Sequence, residues 1–409
     1  MTTDQAAPRF SIADLPEIDV YSEEFRDRPW EVARRALPDS PNGLARSSRG
    51  IEGITYQACH TVFSDRRLKI GFDEMYRATG FDETSPVFQA AVTSINNLEG
   101  EHHKGLRSVL GQYFTREWVQ SIRPLVNGIV RDLVADFRPG EPVDLSTRFL
   151  GKIPSRLFAE LIGAPRGDAE FLEKTSDTLL SVFAMDQANH DAVEAAYAEL
   201  AAYVGELIVR KQASPGNDVV SHLLAAEREG SVSRHDVIVN TTALLRASTD
   251  TTSGQMGLVI AELVERPDIW NRCAAEPAVI PAVVMEAIRR RTSAWSILRV
   301  IREDLDVLDT AVPAGTEFFG LAVAAHRDPE VYPQPEEFRM DRRRPAPTLN
   351  WGMGLHFCLG KPIAQVEIEE AVRVLTERWD KVEFAAPLET AGEPFTSRAA
   401  RLELTHQAR

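Results

Sequence analysis

The chain has 409 residues, 46 basic against 61 acidic side chains for a formal charge of -15, and only three cysteines, Cys59, Cys273 and Cys358. With 44% hydrophobic and 26% charged residues it has the composition of a globular protein, which excludes disordered, fibrous and low-complexity classes. The negative charge opposes nucleic acid and anionic lipid, three scattered cysteines support neither a disulfide framework nor a structural zinc site, and no window reaches the ~18 apolar residues of a membrane span. A cytoplasmic protein without nucleic-acid or membrane partners is expected.

In chain order, the first strand-like pieces are GLARSS from Gly43 and GITYQA from Gly53. The stretch from Ile70 to Asn97 has no clear period and reads as a long ordered loop. Helical periodicity dominates from Glu101 to Arg291, as in VQSIRPLVNGIVRDLVADF from Val119. The longest helix is predicted to start after Ser233, an N-cap with Asp236 three residues later, and to end by Pro267; ~30 residues span ~45 Å. Its run Ser248, Thr249, Thr251, Thr252 and Ser253 is expected to divert backbone hydrogen bonds and open the helix locally. Strand signals return in SILRVIRE, LDVLDTAVPAGTEFF, KVEFAA and RLELTHQ, with a second long loop from Asp328 to Met353. Early strands pairing with late ones make a small sheet, so the fold class is mainly α with a small β-rich region. No linker or repeat divides the chain, and a single domain over residues 1–409 is expected.

The sharpest chemical signal is W-G-M-G-L-H-F-C-L-G-K-P-I-A, from Trp351 to Ala364. Gly352, Gly354 and Gly360 permit positive φ and close backbone approach around Cys358. A helix beginning just after it would turn its positive end toward a thiolate. That environment suits an anionic metal ligand. Glu286 and Arg289 lie three apart on a helix, where a carboxylate and a guanidinium meet, and Asp250 and Thr251 are adjacent polar residues near the middle of the long helix.

These motifs together resemble the cytochromes P450. The cysteine loop is similar to F-G-x-G-x-H-x-C-x-G with Trp351 for the usual Phe; Glu286 to Arg289 resembles E-x-x-R, Ala247 to Thr252 the oxygen-activating segment, and His103 to Arg107 the H-x-x-x-R motif. The resemblance implies a triangular helical body with a long central helix over haem b, Cys358 as axial thiolate ligand, and His103, Arg107, Arg299 and His356 on the haem propionates. It implies Asp250 and Thr251 as a proton relay for dioxygen activation, and Glu286 with Arg289 as a structural lock, whose usual basic third member is replaced by Glu337 in P-E-E-F. Ser248 stands where relatives usually have Gly.

The resemblance further implies a monomeric monooxygenase that inserts one atom of O2 into a small or mid-sized hydrophobic substrate, by hydroxylation or oxidative dealkylation. Residues placed near the substrate by family topology are Phe72, Met75, Phe81, Phe88, Leu180, Phe183, Leu244, Ala247, Ser248, Trp295, Ile297 and Leu298, within regions that include Leu179 to Met185. The chain has no G-x-G-x-x-G after a strand and ends soon after the cysteine loop, so electrons are expected from a separate ferredoxin and its reductase. Arg342 to Arg344, Lys361, Lys104 and Arg289 to Arg291 would form the basic landing patch. The alternatives are a peroxide-driven peroxygenase or haem-thiolate isomerase, and a haem-containing ligand-binding or sensor protein.

Overall fold

The computed structural model describes residues 9–409 apart from 41, 185 and 343–345. Met185, Arg343 and Arg344, and the side chain of Phe183, lie outside the described residues. The chain divides into two compact units. The first comprises the described residues up to Gly71, Ile288–Cys358 and Gly392–Ser397; the second comprises Phe72–Ala287, Leu359–Ala391 and Arg398–Arg409.

The first unit is built on a five-stranded sheet. Strands β1 (Leu44–Ser47) and β2 (Gly50–Gly53) form a hairpin, helix α1 (Tyr56–Ser64) follows, and β3 (Leu68–Ile70), β4 (Ser296–Ile301) and β5 (Glu317–Leu321) complete the order β1-β2-β5-β4-β3. The β2 and β5 strands run parallel with Ile51 opposite Phe318, and β3 pairs antiparallel with β4, Ile70 opposite Arg299. Early strands thus pair with late ones as expected. GITYQA is not a strand: Thr55 accepts a hydrogen bond from the Ala58 amide and caps α1, which buries Cys59, Val62 and Phe63 at helical spacing. Phe63 lies so close to the sheet that a Cβ on Gly320 would meet its ring at 2.3 Å, which explains the glycine in the middle of β5.

The second unit is helical. Its helices include α2 (Phe72–Ala78), α3 (Pro86–Thr93), α4 (Gly100–Gly111), α5 (Arg116–Val134), α6 (Lys152–Ile162), α7 (Ala169–Leu180), α8 (His190–Ala213), α9 (Arg234–Val264), α10 (Ile280–Arg290, whose last turn continues into the first unit) and α11 (Lys361–Arg378). The expected loop over Ile70 to Asn97 therefore contains two helices, α2 and α3. Each is too short for a periodic signal and is held by burial of Met75, Tyr76, Val87 and Phe88. The described residues of the Asp328 to Met353 stretch are irregular, as expected, apart from a short turn at Leu349–Trp351. Strands β6 (Trp379–Phe384), β7 (Arg398–Arg401) and β8 (Glu403–Ala408) close the chain, β6 pairing antiparallel with β8.

Helix α9 positions the site. Its start matches the predicted cap: Ser233 Oγ accepts from the Asp236 amide, while Asp236 accepts back from the Ser233 amide at 2.8 Å. It packs on α6, α7 and α11, and 2.7 Å would separate a Cβ on Gly257 from Leu150. The expected opening is absent, for α9 is an unbroken α-helix. Thr249 and Ser248 both donate to the Leu245 carbonyl at 3.0 Å, and Thr251 donates to Ala247 at 2.9 Å. These hydroxyls share the carbonyls with the helical N–H donors, and the helix stays unbroken. Helix α11 is tied to α5 by Arg123, which bridges Glu369 at 2.7 Å and Glu370 at 2.6 Å.

Candidate active site

In the first unit, the cysteine loop is shaped by its backbone. Gly352 and Gly354 take φ of 66° and 67°, and the Cys358 amide donates to the Trp351 carbonyl at 2.9 Å. The loop is anchored upstream by His326, fully buried, whose Nε2 accepts from the Leu349 amide at 2.7 Å. Burial, and after it the positive charges of Arg289 and Arg327, press the His326 pKa down to about 3, which keeps the ring a neutral acceptor. Cys358 and His356 are partly buried, and the indole N–H of Trp351 is buried without an acceptor. The other two thiols differ: burial raises both, Cys273 to about 11, and Cys59 donates to the Gly53 carbonyl at 3.2 Å. Neither has a reactive environment.

Arg289, 2% exposed, sits beneath the same loop system. It donates to the carbonyls of His326 at 2.8 Å, Pro335 at 2.9 Å and Glu337 at 3.3 Å. The segment that lacks the usual basic side chain thus engages Arg289 through backbone oxygens, while the Glu337 carboxylate accepts from Gln334 at 3.1 Å. Glu286 is also buried, one helical turn earlier on α10. This removes Arg289 from the expected landing patch, because a buried arginine bonded to carbonyls offers no surface charge. Arg342 is likewise occupied by the Pro333, Gln334 and Glu337 carbonyls, and Lys104 pairs with Glu101 at 2.5 Å. Arg299 is buried on β4 with its guanidinium 5.6 Å from the Phe63 ring.

In the second unit, Asp250 and Thr251 lie in the middle of α9. Most of this helix is buried, yet Ala247 and Thr251 are exposed and Leu244 and Ser248 partly so, an open stripe at helical spacing. Asp250 is held by Arg398 at 3.6 Å, a partner that sequence reasoning missed because nearly 150 residues of chain separate them. Burial raises its pKa, and the arginine only partly offsets this. The two adjacent histidines of α4 part: His102 reaches Asp236 at 2.9 Å, and His103 is fully buried. Burial first, then neighbouring Arg107, lowers the His103 pKa, so its imidazole serves as a neutral hydrogen-bonding group.

The pocket candidates divide. Phe81 and Phe88 are core residues of the second unit, Phe81 stacked 4.3 Å from the His190 ring and Phe88 beneath Arg77 at 4.7 Å. Met75 and Leu180 are buried, and Phe72 and Leu244 are partly exposed. In the first unit Trp295 and Leu298 are buried and Ile297 is partly exposed.

Comparison with known proteins follows this geometry. The family model described as cytochrome P450 matches residues 179–379. Putative cytochrome P450 133B2 from Xylella fastidiosa is 31% identical over 372 residues, 88% of this chain and 91% of that protein. Luteothin monooxygenase from Streptomyces thioluteus is 28% identical over 381 residues, covering 92% of this chain and 93% of that one. The crystal structure of CalO2 superposes with a TM-score of 0.87 at 21% identity, over 96% of this chain and 99% of that chain, and shows the same fold.

The chain belongs to the cytochrome P450 family, and is a haem-thiolate monooxygenase. Family members hold haem through a cysteine thiolate and use O2 and redox partners. The residues present fit that group: a cysteine in a loop held open by two positive-φ glycines, a buried indole N–H without an acceptor in that loop, and basic side chains suited to carboxylates. Among the described residues no helix is long and apolar enough to cross a membrane.

Proposed function

We propose that this monooxygenase oxidises a small or mid-sized hydrophobic organic molecule, with Cys358 as the haem ligand and Asp250 and Thr251 as the proton relay. The observation that carries this reading is the open stripe Leu244, Ala247, Ser248 and Thr251 on an otherwise buried helix. Small side chains there leave room for a substrate beside the one threonine hydroxyl that faces out, and Asp250, with its raised pKa, is suited to hold and release a proton. Ser248 and Thr251 both donate to helix carbonyls, of Leu245 and Ala247, which leaves each hydroxyl oxygen as an acceptor toward the stripe.

Haem, when bound, supplies the dioxygen and electron-transfer chemistry. His103, Arg107, Arg299 and His356 hold its propionates, and Glu286 with Arg289 holds the backbone behind the cysteine loop. The two units act as one haem domain, and a separate ferredoxin with its reductase delivers electrons.

The test is spectroscopic. The reduced, carbon-monoxide-bound protein should show the red-shifted absorption of thiolate ligation and Cys358→Ser should lose it, whereas a histidine-type spectrum in the wild type refutes the assignment. The same preparation should be reduced by a ferredoxin and its reductase, and failure of reduction by any ferredoxin tried would remove that donor from the reading.

A further inference from the structure

Arg246 has no role in the family motifs, and its surroundings differ from those of three other arginines in the interior. Arg123 has two glutamates, Arg49 has Glu52 at 2.7 Å, and Arg289 has three carbonyls. Arg246, on α9, instead donates to the Tyr76 hydroxyl and lies 5.5 Å from that ring, and no carboxylate among the described residues pairs with it. The obvious helical partner, Asp250 at i+4, is drawn to Arg398. Burial alone, with no neighbouring charge, lowers the Arg246 pKa to about 10. A phenol and a ring face hydrogen-bond and polarise toward a guanidinium but do not neutralise it, so the desolvation is only partly offset.

Arg246 also borders a recess, open to solvent, walled by Ala90 of α3, Leu179 of α7, Tyr197 of α8, and Thr242 and Ala243 of α9. Arg246 is the single charged residue in that lining. Thr242 has already given its hydrogen to the Val239 carbonyl at 2.9 Å. At ~1.5 Å rise and ~100° per residue, Arg246 and Thr251 are about 7.5 Å apart along the helix axis and about 140° apart around it, with exposed Ala247 between them, so a ligand lying over Ala247 borders both.

We propose that Arg246 is an anion anchor that binds a carboxylate carried by the substrate, so that this enzyme takes apolar molecules bearing an acid group. The planar guanidinium matches a carboxylate through two parallel N–H donors, and apolar walls leave the rest of the ligand to hydrophobic burial. This deepens the monooxygenase reading above and rests on it. The carbon monoxide spectrum tests that reading separately, so the two can fail independently.

The experiment titrates the haem-loaded enzyme by calorimetry and by ligand difference spectra with straight-chain and aryl carboxylic acids, each paired with its methyl ester. Wild type should bind its best acid at least about tenfold tighter than the matching ester. Arg246→Leu should erase that preference while keeping ester binding, and Arg246→Lys should keep a reduced preference. Equal or ester-favoured binding across the whole panel in wild type overturns the proposal. So does an acid preference that survives in Arg246→Leu, even if its melting temperature falls, because that result makes Arg246 a structural partner of Tyr76 alone. Should Arg246→Leu not fold, the wild-type ratio and its reduction in Arg246→Lys decide the matter.

Discussion

The cysteine loop of the first unit and the middle of α9 in the second carry chemistry in opposite ways. The loop departs from regular structure: two positive-φ glycines, a buried neutral histidine and a carbonyl-bonded arginine define one backbone path around Cys358. The middle of α9 keeps full helical geometry, and its function lies in which side chains stay uncovered and in one long-range ion pair to Asp250. A ligand atom must be held still, and irregular backbone with internal bonds does that. A proton-transfer pair must respond to its surroundings, which side chains on a rigid helix allow.

This contrast is broken if substitutions in the two regions have the same kind of effect. Asp250→Asn should lower product formation by about 10²-fold while changing stability by less than about 1 kcal/mol, since its Arg398 partner is half exposed. Thr251→Ala should bind substrate normally and divert electrons to hydrogen peroxide, so fully coupled turnover in that variant would count against the relay. Arg289→Leu should do the reverse, lowering the denaturation midpoint of the haem-free protein by an amount equivalent to about 3 kcal/mol, because three carbonyls, that of His326 fully buried, lose their donor. Glu337→Ala, which spares the carbonyl that Arg289 uses, should stay within about 0.5 kcal/mol of wild type, and a loss as large as that of Arg289→Leu would restore a side-chain third member of the lock.

A separate prediction concerns Glu367 of α11, buried with one carboxylate oxygen unpartnered and its pKa pushed up to about 8 by burial. The folded protein keeps this proton up to that pH whereas the unfolded chain releases it from about 4.5, so stability falls as pH rises through this window. Glu367→Gln should flatten that slope, with denaturant melts at pH 5 and pH 8 as the check; an unchanged slope would show that Glu367 is ionised and paired.

Much of this was legible because its causes are local. The Ser233 and Asp236 cap, the extent of α9 and the glycine spacing around Cys358 depend on residues a few positions apart, whose preferences act wherever the segment lies. The helices between Phe72 and Thr93 were not legible, because segments of seven and eight residues gain their stability from buried contacts rather than from their own period. GITYQA shows the same competition, where a β-rich composition yielded to a threonine cap and a buried helical face.

The site divides along the same line. Sequence alone determined which residue types are present for the chemistry: one cysteine among positive-φ glycines, an acid and an alcohol side by side, and a helical Glu and Arg three apart. Tertiary structure alone decided that Arg289 meets Glu337 through its backbone carbonyl, that Arg398 holds Asp250, that His102 and not His103 meets Asp236, and that Arg246 borders a recess without a carboxylate. Burial and long-range partners depend on how distant segments pack, and a side chain's type does not reveal what the fold will place beside it.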